Sequence, residues 1–183
     1  MVGRFPASRP RRLRTTQAMR DLVAETRLSV DDFVAPLFVR EGIDAPIPIA
    51  SLPGVVQHSR ASLRDEVREL CDLGVKSVIL FGVPAKKDEI GSGAFDPNGI
   101  VQVALRDLRD DLGDRMVLMA DLCVDEYTSH GHCGILDGHG SVDNDRTLEV
   151  YAKAAVAQAE ARSEEHTSEL QSPCNLVCRL LLE

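Results

Sequence analysis

Apolar positions along this chain recur in two alternating rhythms. Short apolar runs at Phe33 to Val39, Lys76 to Phe81 and Arg115 to Ala120 have strand length. Runs of this kind mark strands buried on both faces, as in parallel sheets. Pro36 weakens the first, because proline lacks a ladder donor. Between the runs the spacing is helical. Ser62 to Asp65 resembles a capping box and opens a helix whose inner face holds Val67, Leu70 and Cys71. Ile100 to Leu112 places Val101, Ala104, Leu105 and Leu108 on one side, and Asp145 to about Ala161 places Leu148, Tyr151 and Ala155 in register. Gly74 and Gly113 are the expected stops. Residues 42–60 and 84–98, rich in Pro and Gly, read as loops.

This strand–helix alternation predicts right-handed βαβ units and a parallel α/β sheet. An open doubly wound sheet and a barrel both satisfy it. The phosphate-cradling pattern G-x-G-x-x-G is missing: Gly91 and Gly93 follow no strand directly, which disfavours a dinucleotide site. Before the first strand, residues 1–32 form an arm. It carries Arg9, Arg11, Arg12 and Arg14, a short helical pattern on Met19, Leu22 and Val23, and Ser29 capping an acidic turn at Asp31 and Asp32. After Ala161 the rhythm ends. Residues 162–183 are polar and aperiodic before a short apolar finish, and are expected to be a non-native tail, resembling adaptor read-through.

Composition narrows the function. The 183 residues amount to about one domain, short of the roughly 250 of a closed eight-stranded barrel. A net charge of −8, with no Trp and two Tyr, argues against a nucleic-acid partner. The sequence predicts no membrane span and no secretory signal, and the irregular cysteines 71, 123, 133, 174 and 178 suit a reduced, cytoplasmic chain.

The densest reactive cluster follows the third predicted strand, from Asp121 to Gly134. Cys123 and Asp125, two apart, point the same way from an extended strand end. The loop then has ten residues in which to return Cys133. Two thiolates and a carboxylate can hold a tetrahedral ion with one position open, and Gly131 and Gly134 allow a tight return. Each member also has a structural reading: Cys123 as a small buried hydrophobe, His130 and His132 as polar loop residues, Asp125 and Glu126 as a solvated face. Massed beside a strand end, they favour a metal site. Cys71 reads as core, and His58 and His139 as surface. Cys174 and Cys178, in the doubtful tail, are not read as ligands.

The stretch Asp121 to Gly134 resembles the metal signature of the porphobilinogen synthase (delta-aminolevulinic acid dehydratase) family. Arg9 to Arg14, Pro36 to Val39, Leu52 to Gly54, Leu80 to Gly82, Lys87-Asp88, Gly91-Ser92 and Asn144-Asp145 fit the same family in order. The resemblance implies the N-terminal portion of a TIM-type (β/α)8 barrel, residues 33–161, cut after about three βα units. It implies condensation of two 5-aminolevulinate molecules to porphobilinogen in tetrapyrrole biosynthesis. It also implies a homo-octamer assembled through the arm. Zinc would be held by Cys123, Asp125 and Cys133, Asp121 would be an active-site carboxylate, and His132 would be a secondary metal residue. Asp125 stands where the zinc-dependent pattern has cysteine, so zinc is expected in the site with reduced affinity, with magnesium as an activator elsewhere. The family's two Schiff-base lysines lie on later strands. None of Lys76, Lys86, Lys87 and Lys153 matches them, so this chain is expected to be inactive by itself. Two rivals are another metal-dependent barrel lyase or aldolase and a non-catalytic metal-binding fragment.

Overall fold

The computed structural model describes residues 11–163 and the strand Glu165–Thr167. Arg9, Cys174 and Cys178 lie outside the described residues. One six-stranded sheet carries the fold, in the order β2-β3-β1-β4-β5-β6. Its strands are β1 (Val34–Arg40), β2 (Ile47–Pro48), β3 (Val56–His58), β4 (Ser77–Val83), β5 (Val117–Asp121) and β6 (Glu165–Thr167). β3, β1, β4, β5 and β6 run parallel, and only the β2–β3 pair is antiparallel. The helices are α1 (Gln17–Leu22), α2 (Arg60–Asp72), α3 (Ile100–Leu112) and α4 (Asn144–Glu160). The sequence thus folds as three βα units, β1–α2, β4–α3 and β5–α4, a partial α/β barrel.

Side chains alternate across the sheet. Leu37 and Val39 of β1, Val78 and Leu80 of β4, and Leu118 and Ala120 of β5 turn toward Leu63, Val67, Leu105 and Leu108 of α2 and α3 in one core. On β4 and β5 the intervening Ile79, Phe81, Met119 and Asp121 are only half-buried. Those positions face what would be the barrel interior. Pro36 is tolerated because β3 pairs only with Phe38 and Val39, leaving the β1 edge beside Pro36 open. α2 and α3 are clasped externally by Arg60–Asp107 and by Arg64 and Arg68 on Asp111.

The pattern-based expectations need four corrections. Glu165–Thr167, inside the tail read as aperiodic, forms β6 and pairs in parallel with Met119, Ala120 and Asp121 of β5. The segment 42–60 is not all loop, since it holds β2 and β3. α2 begins one turn earlier than expected: Ser59 is its cap, accepting the Ser62 N–H, while Ser62 Oγ accepts the Ser59 N–H in return. Ser62 was legible as a capping residue, but it fills the third helical position. His58 is buried, not on the surface, with Nδ1 against Ser62 Oγ at 3.3 Å. The arm follows its pattern more closely. Ser29 and Asp32 form a reciprocal capping box, and α1 covers six residues. Leu22 and Leu28 of the arm are each 77% exposed.

Candidate metal centre

β5 ends at Asp121, and the chain passes directly into the reactive loop. Leu122 and Val124 are buried, packing with Tyr127, Ile135, Tyr151 and Ala154 in a second core beneath the loop. That alternation turns Cys123 and Asp125 to the opposite side, as the two-residue spacing predicts. A turn then closes, with the Tyr127 and Thr128 N–H groups both donating to Val124 O at 3.0 and 2.8 Å. Gly131 takes the left-handed conformation at φ 71°. Gly134 serves by closeness instead, since a Cβ there would lie 2.6 Å from Val142 Cγ1 and 2.9 Å from Thr147 Oγ1.

The result brings Cys133 back to its expected partners. One donor atom each from Cys123, Asp125 and Cys133 lies within 4.8 Å of the other two. A tetrahedral ion with bonds near 2.3 Å needs donors about 3.8 Å apart, so a small contraction completes the cage. The donor set itself fits a divalent cation. Burial, with a hydrogen bond from the thiol to Asp125, pushes the Cys123 thiol well above its ordinary range. A metal reverses that preference, because thiolate is the ligating form.

His132 is exposed and not among the converged trio. His130 has both ring nitrogens engaged. Nε2 lies 3.2 Å from Glu89 O, and Nδ1 accepts the His132 backbone N–H at 3.2 Å. The Nε2–H tautomer satisfies both contacts, and it leaves His130 no lone pair for a metal. Asp121 stands half-buried at the strand end, its backbone carbonyl accepting from Gln158 Nε2 at 2.8 Å.

Two residues named from sequence have roles that the sequence did not show. Glu126 is not a solvated side chain. Burial, and then the negative charges of Asp121 and Asp125, push its carboxyl up to about 8. It lines a cavity of about 260 Å³ with Phe38, Gly82 and Lys87. Tyr151, read only as a helix-register residue, places its hydroxyl 3.0 Å from Cys133 O and 3.4 Å from Cys123 Sγ. A tyrosine on an otherwise Ala-rich buried face was the available signal, since buried tyrosine hydroxyls seek partners.

Comparison with known proteins gives a consistent picture. A sequence model of the family described as delta-aminolevulinic acid dehydratase matches residues 7–165. The enzyme of that name from Streptomyces coelicolor is 58% identical over 161 residues, 87% of this chain and 49% of that protein. Its counterpart from Mycobacterium tuberculosis is 57% identical over 162 residues, with the same shares. The chain therefore spans about half the length of these relatives. The crystal structure of delta-aminolevulinic acid dehydratase from Toxoplasma gondii ME49, in complex with the reaction product porphobilinogen, superposes with a TM-score of 0.86. That match covers 95% of this chain and 51% of the other at 28% identity.

Proposed function

Because this chain belongs to the delta-aminolevulinic acid dehydratase family, we propose that it supplies the metal-binding half of a porphobilinogen synthase. The whole enzyme would be a lyase that condenses two molecules of 5-aminolevulinate with loss of water. One observation carries this reading: Cys123, Asp125 and Cys133 converge beside Asp121 at the carboxyl end of β5. Carboxyl ends of parallel strands are where such barrels carry their chemistry.

Zinc bound by the trio would act as a Lewis acid on a substrate carbonyl or water. Magnesium is the alternative where the carboxylate dominates the donor set. Asp121 would orient the substrate amine and accept a proton on its carboxylate. Tyr151 has one hydroxyl proton to share between the Cys133 carbonyl and Cys123 Sγ, and its donation to the sulfur would favour the thiolate. His132 would serve a second, more exposed cation. The bond-forming nucleophiles would lie outside this segment. Lys76, Lys86, Lys87 and Lys153 are all exposed, whereas a nucleophilic lysine needs an apolar pocket that keeps its amine neutral.

Residues 1–32 would be an assembly arm, 33–161 the barrel portion and 162–183 a non-native extension. The exposed Leu22 and Leu28 support an arm that packs against another subunit, as a cytoplasmic homo-octamer would require. Among the described residues, no helix is long and apolar enough to cross a membrane, and the cysteines are unpaired.

A chimera tests the reading. Residues 1–161 joined to the remaining half of the Streptomyces coelicolor enzyme should convert 5-aminolevulinate to porphobilinogen, measured by product mass. The 183-residue chain alone should make none. A folded, zinc-loaded chimera without activity would contradict the proposal.

A further inference from the structure

The metal loop is not held by its own turns alone. It is fastened to the end of β4 and to the loop that follows β4, more than 35 residues upstream in sequence. The Glu126 side chain accepts the Gly82 N–H on Oε2 at 3.2 Å. Tyr127, the next residue, packs its hydroxyl over Gly82 so closely that any Cβ there would overlap it. The Asp88 N–H donates to Tyr127 O at 3.2 Å, and the Ser129 N–H donates to Asp88 O at 2.8 Å. Asp88 and Thr128 form a parallel bridge. Thr128 is fully buried and donates from Oγ1 to His132 O at 3.0 Å, one residue before the returning cysteine.

Tyr127 reaches Gly82 by packing, and the other struts run through the backbone or stay within the loop. Among these struts Glu126 supplies the side-chain hydrogen bond from the loop to the sheet, and it sits between the ligand Asp125 and the packed Tyr127. We infer that Glu126 is a positioning residue, whose hydrogen bond to the Gly82 N–H fixes Asp125 and Cys123 at ligating distance from Cys133. It is not one of the three converging donors. Its effect runs through the backbone of the turn that begins at Val124. This inference rests on the reading of the trio as a metal site.

Reach and charge can be separated by substitution. Glu126→Gln keeps the length and an accepting oxygen, and removes the ionisable group. Glu126→Asp keeps the carboxyl group and withdraws the oxygen by one methylene. Cobalt(II) added to the purified 183-residue chain reports thiolate ligation through sulfur-to-cobalt charge-transfer absorption, and titration gives its affinity. The Gln variant should match the unsubstituted chain in spectrum and affinity. The Asp variant should bind cobalt about tenfold more weakly, as losing a partner behind a ligand typically does, with an altered band pattern and unchanged far-UV circular dichroism.

Equal weakening in both variants, or weakening in the Gln variant alone, would show that reach to the Gly82 N–H is not what matters and would overturn the inference. So would unchanged binding in both, or loss of the fold in the Asp variant, which would make Glu126 a folding residue. Absence of any sulfur band in the unsubstituted chain would instead overturn the metal site itself, and this inference with it.

Discussion

In the proposed centre, position 125 would decide how firmly a soft metal is held. Two thiolates and one carboxylate form a mixed donor set, and each exchange of sulfur for oxygen moves preference away from zinc and toward harder ions. Asp125→Cys should therefore tighten zinc binding by tenfold or more, read by competition with a chelator, and should weaken any response to magnesium. The substitution is sterically mild because Asp125 is half-buried rather than enclosed. Equal zinc affinity in the two proteins would mean that Asp125 does not reach the ion. At this scale the sequence was informative about donors and silent about their supports. Cys123, Asp125 and Cys133 announce themselves by type and spacing. Glu126 and Tyr151 matter through contacts with residues 44 and 28 positions away, and no local pattern encodes such distances.

His58 shows how an element boundary can conceal a titratable group. It closes β3 and meets the first turn of α2, where Ser62 Oγ touches its Nδ1. Burial lowers its pKa below 6.5, against a weaker opposing pull from Glu66. The unfolded chain therefore binds this proton at a higher pH than the folded chain does. The stabilising difference is complete above about pH 6.5 and is lost as pH falls from there toward the folded value. Thermal melts of the chain should drop between pH 7.5 and 5.5, and the drop should be smaller in His58→Asn, which keeps a short polar group toward Ser62. Equal pH dependence in both would place the titration elsewhere. The sequence located α2, α3, α4 and the three main strands because each has a clear apolar period. It missed β2 and β3 because strands of two and three residues are too short to show one. Their pairing depends on the edge that β1 offers, which is a property of the assembled sheet.

For the whole molecule, the main consequence is that every proposed donor lies on one loop after β5. That loop is braced by β4 and α4, and all three elements belong to the same segment. Barrel closure is therefore not needed to assemble the cage. The parallel order β1-β4-β5 was legible from the βα alternation, while the choice between an open sheet and a barrel was not. Alternation fixes neighbours, but curvature arises only from the accumulated stagger of strands. The claim that the segment alone carries a preformed thiolate–carboxylate centre is most directly tested by zinc-edge X-ray absorption on the purified, zinc-loaded 183-residue chain. The account predicts two sulfur scatterers at about 2.3 Å with oxygen or nitrogen at about 2.0–2.2 Å completing the shell, and loss of a sulfur in Cys133→Ser. A shell of oxygen and nitrogen alone would contradict it.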